Sequence, residues 1–299
     1  EVRAKLNLTL KILGKRLDGY HDIESVVQSV DLCDRIFLQT GPLCDLQEDA
    51  NESNIKFTCN NSKVPTGRGN LAIDAAVVLE KLRGFRSFVK INIEKNIPIS
   101  AGLGGGSTNA AGVLIGLNYL WDLGLTKKEL MHIGEGLGAD IPFCILGGTG
   151  IIKGKGEQVK IFPTPENLWF VIVILHDKIS TAWAYAEFDR LNKLPASADD
   201  STSKMINALK ANSICNMGDI ISNDFEYIAK IKIPLISKIK RVLYDLGADG
   251  VGMSGSGPTI FAVTCSEKKA QEIYKAFKEK RNEEIYICKA VTQGVQRVI

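Results

Sequence analysis

The chain opens with a segment, residues 4–13, in which apolar and polar side chains alternate strictly. A period of two is typical of a β-strand, with apolar residues on one face and polar residues on the other. The polar face carries Lys5, Asn7, Thr9 and Lys11. Because these residues lie opposite the apolar face, the pattern alone predicts that their side chains are exposed to solvent.

Later segments show either the alternation of a strand or the spacing of a helix, and turn residues separate them. The alternation predicts strands over residues 55–59, 88–94, 168–175, 258–264 and 285–293. The helical spacing predicts helices over residues 70–83, 107–122, 127–137, 181–192, 234–246 and 266–281. A capping box of Thr126 and Glu129 supports the third of these helices. Polar or glycine-dotted residues predict a connection over 40–69 and a hairpin over 147–157.

This succession of elements favours an α+β architecture, in which helices pack on largely antiparallel sheets. A length of 299 residues suits two domains of roughly 150 residues each. We place the division between an N-terminal domain, residues 1–158, and a C-terminal domain, residues 159–299.

The composition is that of an ordinary globular protein, and it argues against several classes of function. Hydrophobic residues make up 45% of the chain, and 37 Lys and Arg residues stand against 34 acidic ones. A net charge of only +3 argues against a nucleic-acid-binding protein. The longest apolar run, residues 168–175, is too short to span a membrane. We expect no nucleic-acid or membrane partner, and a monomer or weak homodimer.

The cysteine pattern bears on the cellular compartment. The 7 cysteines are scattered and are never spaced as C-x-x-C, which indicates reduced thiols rather than a disulfide framework or a metal site. The first residues do not resemble a secretory signal peptide. We therefore expect a cytoplasmic protein, or one of the plastid stroma if a transit peptide has been removed ahead of Glu1.

The segment ISAGLGGGSTNAAG, residues 99–112, places a glycine-rich loop between the strand over 88–94 and the helix over 107–122. Free N–H groups and the dipole at a helix N-terminus attract anions, and glycines let a phosphate approach the backbone closely. No Lys follows the last glycine, so this is not a P-loop, and the spacing does not fit G-x-G-x-x-G. With Ser107 and Thr108 as predicted N-cap residues, the pattern predicts a phosphate-binding loop.

A second glycine run, GVGMSGSG over residues 250–257, does satisfy the G-x-G-x-x-G spacing. A predicted helix precedes it and a predicted strand follows, which is the reverse of the order in a dinucleotide-binding unit. The context therefore argues against a dinucleotide-dependent oxidoreductase. We interpret the run as a loop whose glycines pack closely against another backbone or a ligand.

Candidate catalytic groups lie in two separate segments. LGADIPF, residues 137–143, places Asp140 in a turn before Pro142. An aspartate in such a turn commonly caps a helix or bonds its own backbone. Beside a cation and a phosphate donor, the same carboxylate can orient or deprotonate a hydroxyl that attacks phosphorus. Lys5 is the candidate cation, and it lies two residues from Asn7 on one strand face.

These segments together resemble the GHMP kinases, the superfamily of galactokinase, homoserine kinase, mevalonate kinase and phosphomevalonate kinase. IPISAGLGGGSTNAA is similar to the ATP loop of that superfamily, and MSGSGPTIFAV, residues 253–263, is similar to its C-terminal glycine motif. The opening AKLNLTLKILGKRLDGYHDIESVVQSVDLCD resembles the branch whose alcohol substrate carries a cytidine diphosphate group. The resemblance implies a two-domain GHMP kinase fold, with an N-terminal domain like domain 2 of ribosomal protein S5 and a ferredoxin-like C-terminal domain. The active site would lie in the cleft between the domains.

The resemblance also implies an activity, the ATP-dependent phosphorylation of a small-molecule hydroxyl. Asp140 corresponds to the catalytic aspartate, and Lys5 to the lysine that pairs with it and with the substrate hydroxyl. The residues implied in binding ATP are Gly102, Leu103, Gly104, Gly105, Gly106, Ser107, Thr108, Asn70, Lys95 and Pro98. Because Gly105 and Gly106 stand where many relatives carry serines, Ser107 is the hydroxyl expected near Mg²⁺.

The implied substrate site combines polar and aromatic side chains. Asn7 corresponds to a substrate-contacting asparagine, and Tyr20 and His21 to the pair that recognises the cytosine. Tyr185 falls where the family often carries a ring against the other face of the base. A stacked aromatic ring contributes about 1–3 kcal/mol per base, and a histidine with one donor and one acceptor can read a base edge.

Two alternative functions stay open on the sequence alone. Another kinase of the superfamily, for mevalonate or homoserine, would share the loop, but its substrate has no base for Tyr20 and His21. A non-catalytic ligand sensor on the same scaffold could keep the loop and lose the acid, whereas this chain has both Asp140 and Lys5. The sequence also leaves open whether Asp140 removes a proton or positions the hydroxyl.

Overall fold

The computed structural model describes residues 1–43, 54–84, 86–191, 200–213 and 217–298. The strands in this part of the chain are β1 Val2–Asn7, β2 Thr9–Lys15, β3 His21–Gly41, β4 Ile55–Cys59, β5 Phe88–Glu94, β6 Thr149–Gly154, β7 Gln158–Phe162, β8 Trp169–Ile174, β9 Ser222–Asn223, β10 Gly250–Met253, β11 Ile260–Thr264 and β12 Glu284–Lys289. The helices there are α1 Leu71–Arg83, α2 Gly105–Leu120, α3 Lys127–Glu135, α4 Ile141–Leu146, α5 Thr181–Arg190, α6 Ser201–Lys210, α7 Glu226–Lys232, α8 Leu235–Asp245 and α9 Glu267–Lys280. Across the described ranges, no helix is long and apolar enough to cross a membrane.

Most predicted strands and helices are confirmed. One helix, α3, also begins at the cap that the sequence predicts. The hydroxyl of Thr126 accepts a hydrogen bond from the backbone N–H of Glu129, whose carboxylate accepts one from the N–H of Thr126. This is the predicted capping box at the start of α3. The end of the helix predicted over 181–192 and part of the connection predicted over 40–69 lie outside the described residues.

Some predictions about secondary structure are wrong. The strand expected over residues 4–13 is divided into β1 and β2 at Leu8, whose N–H donates to the carbonyl oxygen of Val26. The second glycine run begins with strand β10 rather than being a loop throughout. The helices α4, α6 and α7 are not among the predicted elements. Five of the cysteines are described, and all five are free thiols, as expected.

Strand β3 organises the first sheet, which has eight strands. Successive parts of β3 pair antiparallel with β2, β1 and β5, and β6 pairs with residues 23–28. Among the described strands, only β4 with β5 and β2 with β9 are parallel pairs. Helices α1 and α2 share an apolar core with β5. The predicted α+β class with largely antiparallel sheets is confirmed.

The second sheet is antiparallel, with the strand order β10-β11-β8-β12. The alternation of β8 separates its two faces. Val171 and Val173 share a core cluster with α8 and α9, whereas Phe170 and Ile172 share one with Leu6 of β1. One face of this sheet therefore packs against α8 and α9, and the other shares its cluster with β1 and with Met205 and Leu209 of α6.

The two sheets follow one another along the chain, except that β9 and segments near the C-terminus return to the first sheet. The predicted division after residue 158 falls at the start of β7, which pairs with β6 and continues the first sheet to Phe162. The second sheet begins at Trp169. Near the C-terminus, Val295 bridges back to Val2 in the first sheet. The division into domains at residue 158 stays a prediction.

Candidate active site

A cavity of about 890 Å³ lies where the two halves of the chain meet, and residues of both halves line it. With the exception of Thr108, the structure brings every predicted site residue to this cavity. These residues are Lys5, Asn7, Tyr20, His21, Asn70, Lys95, Pro98, Gly102, Leu103, Gly104, Gly105, Gly106, Ser107, Asp140 and Tyr185. The hydroxyl of Thr108 instead donates to the carbonyl oxygen of Arg3 at 2.6 Å and joins α2 to β1.

The ion pair between Lys5 and Asp140 lies in this cavity. The ammonium Nζ of Lys5 lies 3.3 Å from Oδ2 of Asp140 and donates to Oδ1 of Asn7 at 2.7 Å. The side chain of Lys5 is only 7% exposed, so the predicted solvent exposure of this strand face is wrong. Asp140 is 35% exposed, which leaves its carboxylate accessible from the cavity.

The amide of Asn7 links this ion pair to neighbouring elements. Its Nδ2 donates to the hydroxyl of Ser25 on β3 at 2.9 Å. Its backbone N–H donates to the hydroxyl of Ser254, which follows β10. The polar face of β1 is therefore buried because both halves of the chain cover it and satisfy its hydrogen bonds.

The side chain of Asp140 does not make the contact that an ordinary capping residue makes. Asp140 occupies the N-cap position of α4, yet its side chain makes no capping hydrogen bond. Pro142 follows in the first turn of that helix. The carboxylate lies beside Lys5 instead, so the local role that such turns commonly give an aspartate does not account for it.

The glycine loop leads from β5 into α2, and the helix starts earlier than predicted. The N-cap is Gly104, with a left-handed φ of 71°, and no side chain caps the helix. The prediction of Ser107 or Thr108 as N-cap is wrong because the left-handed turn at Gly104 begins the helix at Gly105. Uncapped N–H groups of a first helical turn beside a cavity form an anion-binding site.

The two glycine runs contact each other. The hydroxyl of Ser254 donates to the carbonyl oxygen of Gly102 at 3.0 Å. A Cβ atom at Gly102 would lie 2.4 Å from the carbonyl oxygen of Ser254, so only glycine fits there. The prediction that the second run packs closely against another backbone is confirmed. The N-terminal loop is thus held in place by the C-terminal half of the chain.

Beneath the loop lies a buried polar cluster centred on Asp34. One of its carboxylate oxygens accepts hydrogen bonds from Nζ of Lys95 at 2.5 Å and from Nδ2 of Asn109 at 2.7 Å. The other accepts from the backbone N–H groups of Asn96 and Ile97, both at 2.8 Å. Because the ammonium of Lys95 forms an ion pair with Asp34, we interpret this lysine as a residue that supports the structure of the loop.

The remaining predicted nucleotide contacts have structural partners of their own. Oδ1 of Asn70 accepts from the N–H of Ala72 and caps α1, and its Nδ2 donates to the carbonyl oxygen of Pro65 at 2.6 Å. Pro98 and Leu103 line the cavity between β5 and α2. The backbone N–H of Lys5 donates to the carbonyl oxygen of Leu103, which ties the loop to β1.

Aromatic side chains and a lysine line another part of the cavity, apart from the glycine loop. Tyr20 is 61% exposed, with Nζ of Lys155 lying 5.3 Å from its ring centroid. His21 is buried and stacks on Tyr185, with ring centroids 4.5 Å apart and an interplanar angle of 15°. Tyr185 also packs edge-on against Phe225. Burial, and secondarily the charge of Asp140, raises the pKa of Tyr185 to about 12, so its phenol stays neutral.

The structure adds polar residues that the sequence did not single out. Nε2 of His21 lies 2.7 Å from Oδ1 of Asp189, whose other carboxylate oxygen accepts from Nζ of Lys15 at 2.6 Å. Asp189 follows Tyr185 by four residues in α5, so the two share a helix face. That spacing is the sequence signal that could have identified Asp189. No comparable spacing in the sequence identifies Lys15.

Gly104→Ala is expected to lower kcat/KM by about tenfold to a hundredfold. A Cβ atom at this position would lie 3.0 Å from Cγ of Lys5, and the left-handed φ disfavours any side chain. Lys5 would have to shift relative to Asp140. Gly14→Ala is the control, because nothing lies within 4 Å of a Cβ there. Steady-state kinetics test the pair, and wild-type kcat/KM in Gly104→Ala would contradict the expectation.

Comparisons with known proteins agree with this architecture. Residues 70–148 match the GHMP kinases N terminal domain, and residues 205–283 match the GHMP kinases C terminal family. The chain is 37% identical over 294 residues to the 4-diphosphocytidyl-2-C-methyl-D-erythritol kinase of Gloeobacter violaceus, which covers 98% of this chain and 94% of that protein. It is 39% identical over 273 residues to the enzyme of the same name from Alkaliphilus metalliredigens, covering 91% and 90% of the two chains.

Solved structures show the same relationship. A crystal structure of 4-(cytidine 5'-diphospho)-2C-methyl-D-erythritol kinase matches with a TM-score of 0.76 at 27% identity, covering 96% of this chain and 97% of that one. Homoserine kinase from Cytophaga hutchinsonii matches with a TM-score of 0.75 at 19% identity, covering 98% and 94%, which shows a shared fold alone. The predicted two-domain GHMP kinase fold is thereby confirmed. The chain belongs to the GHMP kinases and, within them, to the family of the 4-diphosphocytidyl-2-C-methyl-D-erythritol kinases.

Proposed function

We propose that the protein is an ATP-dependent kinase that phosphorylates the 2-hydroxyl of 4-diphosphocytidyl-2-C-methyl-D-erythritol, in the non-mevalonate (methylerythritol phosphate) pathway of isoprenoid biosynthesis. The products are ADP and the 2-phosphate of the substrate. The observation that carries the proposal is one cavity lined by the glycine loop, by the Lys5–Asp140 pair and by Tyr20 and His21. The names of the relatives support the choice of substrate.

In the proposed step, the oxygen of the 2-hydroxyl forms a bond to the γ-phosphorus of ATP. The bond between that phosphorus and the oxygen bridging to the β-phosphate breaks, and ADP leaves with the electron pair. Asp140 accepts the hydroxyl proton and releases it to water. Because the transition state of phosphoryl transfer is loose, it demands little base strength, and the carboxylate both orients the hydroxyl and takes its proton.

Lys5 has two roles in this proposal. An ammonium group has three N–H donors, and in Lys5 one is used by Asn7 while another faces Asp140. The remaining donor serves the attacking oxygen or the transferred phosphoryl group, whose oxygens share the negative charge. Fixed donors of this kind stabilise the transition state without reorganisation.

The glycine loop is the proposed site of the ATP triphosphate, with the first turn of α2 supplying backbone N–H donors. Mg²⁺ in kinases is held mainly by phosphate oxygens and water, with one or two protein groups. No group of three or more His, Cys, Asp or Glu residues in the described ranges could hold a metal ion. Ser107 lines the cavity in the first turn of α2 and would supply a hydroxyl ligand to an ion carried by the triphosphate. That ion would neutralise charge on the transferred group.

The aromatic end of the cavity distinguishes the proposed substrate from its rivals. Mevalonate and homoserine carry no base, so Tyr20, His21 and Tyr185 would contact nothing of those substrates. A sensor that binds ATP without turnover would not need a buried lysine beside an accessible carboxylate, as Lys5 and Asp140 provide. These two observations favour the cytidine-bearing alcohol and an enzyme.

The test is ADP release with Mg·ATP and one alcohol at a time: 4-diphosphocytidyl-2-C-methyl-D-erythritol, mevalonate and homoserine. Turnover is expected with the first alone. Turnover with mevalonate or homoserine instead would overturn the choice of substrate and keep the fold. ATP binding without turnover on any of the three would favour the sensor.

A further inference from the structure

We infer that Asp189 is a positioning residue that makes the cavity selective for an amino-bearing pyrimidine, by fixing which nitrogen of His21 carries the proton. The inference rests on the proposed function, because it concerns the base of the same substrate. Asp189 acts through His21 and is not itself placed at the reacting atoms.

Two contacts hold the ring of His21: a hydrogen bond at one ring nitrogen and an aromatic ring stacked on one face. Its side chain is 5% exposed, and Nε2 lies 2.7 Å from Oδ1 of Asp189. One ring face is covered by Tyr185, whose plane is nearly parallel. The ring therefore cannot rotate freely, and its remaining polar atom is Nδ1. In the part of the chain that the structure describes, no hydrogen bond to Nδ1 is made.

The partner of Nε2 decides the location of the proton. An ionised carboxylate only accepts hydrogen bonds, so Nε2 must be the donor. The hydrogen bond from Lys15, foremost, and that from His21 hold the pKa of Asp189 below its usual range, which keeps the carboxylate ionised. A neutral imidazole has one donor and one acceptor. In the neutral ring, a proton fixed on Nε2 leaves Nδ1 as an acceptor.

An acceptor at Nδ1 distinguishes the two common pyrimidines. Cytosine carries an amino group at its 4-position, which donates to such an atom, whereas uracil carries a carbonyl oxygen there. A uracil in the same pose would place two acceptors face to face and leave both without a partner. Sites built on buried polar groups reject such a mismatch strongly. Lys15 supports the arrangement by holding the other oxygen of Asp189.

The first part of the test is the protonation state of His21 in the wild-type protein. The chain has only 3 histidines, so their side-chain ¹⁵N resonances can be assigned by substitution. A neutral ring with its proton on Nε2 is expected. A ring with its proton on Nδ1, or an imidazolium with both nitrogens protonated, would overturn the inference. This readout does not depend on activity.

The second part compares 4-diphosphocytidyl-2-C-methyl-D-erythritol with its uridine analogue in wild type and in Asp189→Asn. The asparagine amide can donate to Nε2 and let the proton move to Nδ1. The ratio of kcat/KM for the cytidine over the uridine substrate is expected to fall by about tenfold or more. The change should appear mainly in KM, and the His21 resonances should shift toward the other tautomer.

Glu187→Gln is the matched control, because Glu187 lies on the same helix, carries the same charge and pairs only with Arg190 among the described residues. It should leave the substrate ratio unchanged. If Asp189→Asn keeps both the wild-type ratio and the wild-type resonances, the inference is overturned while the kinase activity stands. If the wild type does not phosphorylate the cytidine substrate, the proposed function fails instead.

Discussion

Asp140→Asn is expected to lower kcat by about a thousandfold, within the range of 10²–10⁴ for a positioned acid or base. Asparagine keeps the size of the side chain and can still accept one hydrogen bond, but it cannot take the hydroxyl proton or attract Lys5 as a charge. Because Asp140 makes no capping hydrogen bond in α4, any loss of folding stability should come from its ion pair with Lys5, whose Nζ keeps its hydrogen bond to Asn7.

The measurement is steady-state kinetics together with a thermal or chemical unfolding curve. The KM for ATP should stay close to wild type, since Asp140 faces the acceptor rather than the loop. Asp245→Asn, an exposed carboxylate on α8, is the control for the loss of a charge and should keep full activity. A kcat within a few-fold of wild type for Asp140→Asn would contradict the catalytic assignment.

Asp34→Ala is expected to lower the free energy of unfolding by about 3–5 kcal/mol, the cost of breaking a buried ion pair by removing one partner. Asp34 is fully buried and accepts hydrogen bonds from Lys95, from Asn109 and from two backbone N–H groups. Without the carboxylate, the ammonium of Lys95 stays buried and unpaired.

One further variant separates the effect of the unpaired charge from the loss of packing at Asp34, and another is a surface control. The double variant Asp34→Ala/Lys95→Met removes both charges and should recover part of the lost stability. Asp245→Ala, whose carboxylate lies 4.0 Å from Arg241 at the surface, should change stability by no more than about 0.5 kcal/mol. Chemical denaturation measures all three, and a loss below about 1 kcal/mol in Asp34→Ala would contradict the account.

The elements that the sequence predicted correctly are those whose pattern reflects a single buried face. Helix α1 and strand β5 follow directly from periodicity, and the capping box at Thr126 fixed the start of α3. The site residues came from motifs rather than from periodicity. The short strand β10 was missed because its alternate glycines leave no apolar and polar alternation to detect.

The predictions that failed depend on contacts between distant parts of the chain. Lys5 was expected at the surface because one strand's pattern cannot show that the C-terminal half covers its polar face. The N-terminus of α2 was placed at Ser107 because serine is a good N-cap, whereas the left-handed turn at Gly104 starts the helix earlier. The hydrogen bond between Asp189 and His21 could not be predicted, because it depends on β3 and α5 lying side by side.

The transfer of the γ-phosphoryl group of ATP to the 2-hydroxyl of 4-diphosphocytidyl-2-C-methyl-D-erythritol can be followed by ³¹P NMR of the reaction mixture. We expect one new phosphomonoester resonance, coupled to the ¹³C nucleus at the 2-position of the substrate and growing in step with ADP. Loss of ATP with growth of inorganic phosphate alone, or a new ester at another hydroxyl, would contradict this expectation.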